Sequence, residues 1–222
     1  MKPGPSAREG NGSEARLSRA SAGRLSLYLR QLKGCVQEGL KKISSSQLGE
    51  AVGITDVQVR KDLAHLGSLG QPGIGYATDE LIAAIRRALG IDHDWKVAVV
   101  GAGNLARALL RYHGFQQQGF SIVALFDSDA SKIGKVIEGL TVHGPADIAS
   151  VVPASGAELA MLTVPSEAAQ SVADALTAAG IKGILNFAPA ILRLPHDVSL
   201  VPVDLAMQLE QLAFLVQVSG TN

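Results

Sequence analysis

Apolar positions recur along the first ninety residues with helical spacing. Leu25, Leu29, Leu32 and Val36 fall at i, i+4, i+7 and i+11, which predicts a helix over residues 23–40. Ser44-Ser45-Ser46-Gln47 offers an N-cap with a capping box, opening a short helix that runs to Val52 and ends at Gly53. Thr55, with Gln58 three residues later, caps the next helix, expected to reach about Leu66 and stop at Gly67. Residues 67–75 hold four glycines and a proline, the composition of turns or a hairpin. A further helix starts at Thr78-Asp79-Glu80, with Leu81, Ile82, Ile85 and Leu89 on its apolar face.

From Ile91 the pattern changes. Short aliphatic runs at 96–100, 121–126, 157–164 and 181–187 alternate with helical stretches at 104–115, 145–152 and 166–179. Buried strands alternating with helices imply an α/β fold, a doubly wound parallel sheet with right-handed crossovers. A last strand at 199–203 leads into a C-terminal helix from about Asp204 to Val218. In that helix Leu205, Leu209, Leu212 and Val216 form one apolar stripe, and Met207, Phe214 and Val218 form another. The stripes are offset by two residues, ~200° around the helix, so both faces require cover. Insertion between two subunits supplies it, as does burial within the chain's own domain.

Composition refines this picture. Hydrophobic residues make up 47% of the 222-residue chain and charged ones 18%, which excludes a disordered polyampholyte. No apolar run approaches the ~20 residues that cross a bilayer, and the N-terminus lacks an apolar signal core. One cysteine, Cys35, cannot form an intrachain disulfide and suits a reducing, cytoplasmic setting, where it reads as a small core residue. Residues 1–22 are rich in Gly, Ser, Ala and Arg without periodicity and read as a disordered tail. The net charge of zero hides an asymmetry. Residues 1–90 carry 13 Lys/Arg against 8 Asp/Glu, and residues 91–222 carry 7 against 12. The basic half is suited to a phosphate-rich partner.

The run Val97-Ala98-Val99-Val100 feeds into Gly101-Ala102-Gly103-Asn104-Leu105-Ala106, and a helix follows at once. This is G-x-G-x-x-G/A in the strand–turn–helix setting of a Rossmann dinucleotide site. Gly101 permits the tight turn, Gly103 lets a pyrophosphate approach the backbone, and Ala106 keeps the helix near the strand. The helix N-terminus adds amide donors and a positive dipole end. Asp127 closes the second strand, 127 − 101 = 26 residues on. A carboxylate there accepts from ribose hydroxyls and repels a 2′-phosphate, which favours NAD(H) over its phosphorylated relative.

The helices at 44–52 and 55–66 have helix-turn-helix proportions. Val59, Leu63 and Leu66 face inward on the second, leaving Val57, Arg60, Lys61 and Ala64 outward. Two adjacent cations on a recognition-type helix reach phosphates and guanine O6/N7, and Ser44 to Ser46 can donate to phosphate oxygens. The 67–75 hairpin would be the wing. Spacing alone leaves open a solvated helical face in a dimerisation domain.

Together, Ser45-Ser46-Gln47-Leu48, Gln58-Val59-Arg60-Lys61-Asp62-Leu63 and Gly73-Ile74-Gly75-Tyr76 resemble the Rex redox-sensing transcriptional repressors. So do Gly101–Ala106, Tyr112-His113-Gly114-Phe115, Leu162-Thr163-Val164-Pro165, 183–189 and Val203-Asp204-Leu205, in order over residues 23–218. The resemblance implies a homodimer that binds operator DNA when NAD+ dominates and releases it as NADH accumulates. It implies DNA contacts from Ser44, Ser45, Ser46, Gln58, Arg60 and Lys61, and from the wing residues Gly73 and Tyr76. Asp127 would hold the adenosine ribose with Lys132 nearby. Thr163, Val164, Pro165, Asn186, Phe187 and Ala188 would line the nicotinamide pocket. A switch is implied in which Tyr112 contacts Asp204 of the partner subunit, an aspartate that alternately pairs with Arg30. Two departures from the family pattern stand out: the wing reads Gly70-Gln71-Pro72-Gly73 without the usual basic residue, and His113 replaces a proline.

The expected organisation is thus a tail at 1–22, a winged helix-turn-helix domain at 23–90, a Rossmann domain at 91–203 and a swapped helix at 204–222. The alternative is an NAD-dependent oxidoreductase with an unrecognised substrate. That reading needs a proton donor or acceptor beside the nicotinamide. None of His65, His93, His113, His143 and His196 sits in a recognisable catalytic constellation, and no metal-ligand cluster is legible. A CoA-binding or scaffold Rossmann domain would not need Asp127 in its position.

Overall fold

In a computed structural model, the structure describes residues 17–71 and 73–219. They form two units, one within 1–92 and one within 93–222. Residues 1–16 of the expected tail, and Pro72 of the wing, lie outside the described residues.

The first unit opens with α1 (Arg19–Gln37), capped by the Ser18 hydroxyl accepting from the Ser21 N–H. The helix therefore begins inside the segment expected to be a tail and stops three residues short of its expected end. Its apolar stripe is Leu25, Leu29 and Leu32, joined by Tyr28 and Cys35, while Val36 is 41% exposed. The stripe follows the side of α1 that meets α4, and Val36 rotates off it.

β1 (Lys42–Ile43) precedes α2 (Ser45–Val52), whose capping box is formed as expected by Ser44 and Gln47. Gly53 ends α2 in the left-handed region, and Thr55 caps α3 (Asp56–Ala64). β2 (Tyr76–Ala77) pairs antiparallel with β1, and a Gln71–Gly75 bridge closes the wing. α4 (Thr78–Ala88) completes a core that joins Leu25, Leu29, Leu32, Leu48, Val59, Leu63, Leu81 and Ile85.

The second unit is a seven-stranded sheet. Its strands are β3 (Trp95–Val100), β4 (Phe120–Phe126), β5 (Val136–Ile137), β6 (Leu140–His143), β7 (Leu159–Leu162), β8 (Gly183–Asn186) and β9 (Ser199–Pro202). Their order is β5-β6-β4-β3-β7-β8-β9, parallel throughout except for the β5–β6 hairpin. Strand order reverses between β3 and β7, so the C-terminal ends of these strands form the topological switch point where such sheets bind ligands.

Alternation along β3 sends Ala98 and Val100 to one layer, with α7 (Ile148–Ser155) and α8 (Ser166–Ala178), and Val97 and Val99 to the other. That second layer holds α5 (Asn104–Leu110) and α6 (Gly114–Gln117). The single helix expected over 104–115 is thus two, broken at Tyr112-His113. β6 and the β5–β6 hairpin leave no periodic signal in the sequence. Their runs are short and only Val142 is fully buried. α9 (Leu205–Ser219) is the last described element, and every described residue on it is exposed.

Candidate functional site

At the switch point the turn after β3 is tied to both neighbouring strands. Gly101 N–H donates to Phe126 O at 2.8 Å, and Thr163 N–H donates to Val100 O at 2.9 Å. The Thr163 hydroxyl lies 2.9 and 2.8 Å from the Val100 and Gly101 carbonyl oxygens, one of which takes its proton. Gly101 has φ +98, and a Cβ built there would sit 2.5 Å from Thr163 O. Only glycine fits, because the backbone conformation and the space both exclude a side chain. At Gly103 a Cβ would meet nothing within 4 Å, and no side chain caps α5 behind it. A pyrophosphate can therefore approach Gly103, beside the N-terminus of α5, without meeting a side chain there.

Asp127 lies at the end of β4 and is nearly buried. Its Oδ2 accepts from Ala102 N–H at 2.7 Å and from Lys132 Nζ at 2.9 Å, and its Oδ1 accepts from Asp129 N–H at 2.8 Å. Burial opposes the charge. The Asp129 amide, the Lys132 ammonium and the Ala102 amide outweigh it and hold the carboxyl below its usual range. Asp127 thus has a role not read from the sequence, pinning the glycine turn. Lys132 stands beside Asp127, within ion-pair distance of its carboxylate.

Beyond the turn, Leu105, Phe187, Ala188, Ile191, Val203 and Asp204 help line a cleft of about 480 Å3. Asn186 also borders this cleft, and its side chain bonds to the loop that follows. Its Oδ1 accepts from Ala188 N–H at 2.9 Å, and its Nδ2 donates to Ala188 O and Ala190 O at 3.1 and 3.0 Å. Being buried, it satisfies the loop backbone that carries Phe187 and Ala188 past the sheet end. Val164 and Pro165 follow Thr163 into α8.

Tyr112, 60% exposed, packs edge-on against Phe115 with ring centroids 5.0 Å apart, in a different cleft lined by Phe120, Ile122 and Glu138. Its ring covers Gly114, where a Cβ would sit 2.3 Å from the ring. Arg30 is exposed on α1 in the first unit, and Asp204 caps α9 in the second by accepting from Met207 N–H.

In the first unit, Ser44, Ser45, Arg60, Gly73 and Tyr76 border one cleft of about 610 Å3 between the helix-turn-helix and the wing. Ser46 and Lys61 are exposed beside it. Gln58 is directed elsewhere, its Nε2 donating to Asp62 Oδ1 at 3.0 Å. Asp62 is the residue sequence reasoning missed. It is 1% exposed on α3, and accepts from Arg24 Nε and Nη2, both at 2.6 Å, and from Tyr28 Oη at 3.0 Å. Burial pushes the Tyr28 hydroxyl up to about 12, with Asp62 adding to the shift. The available signal was Arg24 and Tyr28 at i, i+4 on the apolar side of α1, with an aspartate at a core-facing position of α3.

The paired architecture of a basic helix-turn-helix and a dinucleotide-type turn is matched by known proteins. Residues 16–64 match the family described as "Putative DNA-binding protein N-terminus", and residues 92–190 match the family described as "CoA binding domain". The redox-sensing transcriptional repressor Rex of Rhodopirellula baltica is 44% identical over 203 residues, covering 91% of this chain and 86% of its own. The crystal structure of RSP in complex with β-NAD+ and operator DNA superposes with a TM-score of 0.86 at 33% identity, over 92% of this chain and 94% of that one. RSP in complex with β-NADH gives a TM-score of 0.82 at 32% identity, over 92% and 96%. With this identity sustained across both units, the chain belongs to the Rex family of redox-sensing transcriptional repressors.

Proposed function

We propose that this protein is a repressor that binds operator DNA in the NAD+ or NADH-free state and releases it on binding NADH. The observation that carries the reading is the co-occurrence, in one chain, of a basic helix-turn-helix face and an open glycine turn with Asp127 beside it. NAD(H) is held by Gly101, Ala102, Gly103, Asn104, Leu105 and Ala106 around the pyrophosphate. Asp127 and Lys132 take the adenosine ribose. Thr163, Val164, Pro165, Phe187 and Ala188 frame the nicotinamide, and Asn186 acts through the loop it braces. Asp127 has lone-pair capacity left beyond its present donors to accept from a ribose hydroxyl.

Two copies assemble through α9. Leu205, Leu209, Leu212, Phe214, Leu215 and Val216 are exposed around that helix in a single chain, and each gains roughly 1.5–3 kcal/mol on burial. A swapped helix places Asp204 of one copy near Tyr112 of the other, with Arg30 as its alternative partner. The first domain runs from the Ser18 cap of α1 to about residue 90, followed by domains at 91–203 and 204–222.

The two nicotinamide states must discriminate between dimer conformations, or no switch follows. NADH lacks the ring's positive charge, so an apolar cleft bordered by Leu105, Phe187 and Ile191 accepts it at lower desolvation cost. The closed dimer then sets the two recognition helices off the half-site spacing. The oxidoreductase alternative is not favoured, since the relatives are named as repressors.

The test is fluorescence anisotropy of a labelled duplex, selected by the protein from a random library, at fixed salt. NADH at micromolar to millimolar concentration should dissociate it while equal NAD+ does not. Unchanged binding across the NADH titration removes the sensor reading.

A further inference from the structure

Arg60 stands at the centre of the DNA-facing surface proposed above, and its guanidinium is already held. Nη1 donates to Asp56 Oδ2 at 2.6 Å and to Ser45 Oγ at 3.2 Å. Both protons of that nitrogen are therefore committed to the protein. The Nε and Nη2 edge, three N–H groups, has no protein partner among the described residues. Asp56 lies one turn before Arg60 on α3, in the helix's first turn, and both side chains are about half exposed. An exposed i, i+4 pair of this kind contributes little to stability. It also places a negative charge on a face meant for phosphates, which weakens sequence-independent binding.

These costs and gains make sense together if the pair acts on recognition. A guanine offers two acceptors, O6 and N7, in the major groove, and arginine reads them with two parallel N–H groups. A free arginine must freeze four side-chain torsions to do so. Here Asp56 and Ser45 fix the far corner and leave the two-nitrogen edge outward.

We infer that Asp56 is a positioning residue for DNA readout: with Ser45 it presents the Nε–Nη2 edge of Arg60 as a preformed fork for one guanine in each half-site. The inference rests on the operator-binding reading. It makes Asp56 a determinant of specificity that lowers non-specific affinity, although it need not touch a base. The fork's selectivity comes from geometry, so the carboxylate must carry charge to hold Nη1 firmly. An asparagine keeps one acceptor but loses the charge-assisted bond.

The experiment incubates the full-length protein, with NAD+ present, with a randomised duplex library and sequences the bound fraction. Wild type, Asp56→Asn, Asp56→Ala, Arg60→Ala and the Asp56→Asn/Arg60→Ala double variant are compared. Wild type should enrich a two-fold symmetric motif. Arg60→Ala should abolish a guanine preference at one position per half-site. Asp56→Asn should reduce that same preference about three- to tenfold, the range that fixing one flexible side chain is worth. Other positions should stay within about twofold, and the double variant should match Arg60→Ala. Asp56→Asn should also bind a scrambled duplex more tightly at low salt. A merely structural role would lower enrichment evenly along the motif. Three results overturn the inference while leaving DNA binding intact: an even loss, an unchanged guanine preference in both Asp56 variants, or no position lost in Arg60→Ala. Failure of wild type to enrich any motif would instead overturn the operator-binding reading.

Discussion

The Arg24–Asp62 pair offers the sharpest energetic prediction. Asp62 is 1% exposed on α3, and four donor contacts converge on its two oxygens. Arg24→Ala removes two of them, both charge-assisted and both at 2.6 Å, leaving Tyr28 and Gln58. Removing one partner of a buried pair strands a charge and costs roughly 3–5 kcal/mol. Arg24 is itself 26% exposed, so water can enter the vacated site and recover part of this loss. An expected cost of ~2–3 kcal/mol follows. In hydrogen exchange through opening of the first unit, ~2.8 kcal/mol is a hundredfold faster rate at 1.4 kcal/mol per decade. Peptides from α1 and α3 should therefore exchange ~30- to 100-fold faster in the variant, while peptides from β3 and β4 stay unchanged. Arg24→Lys should fall between, since a single ammonium cannot make the two-toothed contact. Pairing Arg24→Ala with Asp62→Asn should recover part of the loss, because the buried charge is then gone. Exchange of α1 and α3 within threefold of wild type would refute the reasoning and relegate the pair to a solvated surface contact.

Three further outcomes follow from the geometry. Gly101→Ala puts a Cβ against Thr163 O at φ +98 and should weaken NADH at least ~100-fold in calorimetry, combining backbone strain of ~1–2 kcal/mol with displacement of the turn; unimpaired NADH binding would show that the turn can move freely. The Tyr28 hydroxyl is raised to about 12 from its ordinary 10.0, so its contribution to stability is complete below pH 10 and is lost as pH climbs toward 12. Wild type should lose more urea resistance over that window than Tyr28→Phe does; parallel curves would contradict the buried Tyr28–Asp62 bond. Asp127→Ala should lower NADH affinity about 10- to 100-fold and narrow the preference over NADPH, measured by competitive fluorescence titration; an unaltered preference would remove Asp127 from ribose selection.

What could be read from residues alone was what local chemistry dictates. The glycine turn was legible because a tight turn, a close approach and a helix N-terminus impose residue types at fixed spacing. Asp127 was legible by position, but not its bond to Ala102 N–H, which depends on how β4 sits beside β3. The division of 104–115 into α5 and α6 escaped because its apolar spacing stays helical through Tyr112-His113. β6 escaped because a four-residue edge strand with one fully buried side chain carries almost no period. Asn186 and Gln58 carry polar side chains that sequence reasoning aims at ligands. Folding also engages one with a loop and the other with Asp62, bonds that no spacing rule announces. The two-faced C-terminal helix was plain from its stripes, since no arrangement within one turn of helix hides residues ~200° apart.

NADH and operator DNA oppose each other's binding through the protein's conformation, and linkage makes that opposition reciprocal. Calorimetric titration of NADH into the protein, with and without a saturating amount of its selected duplex, measures this directly. NADH should bind the duplex-loaded protein more weakly, by the same factor by which NADH weakens the duplex. Equal NADH affinity in the two titrations would show that NADH and operator DNA bind independently.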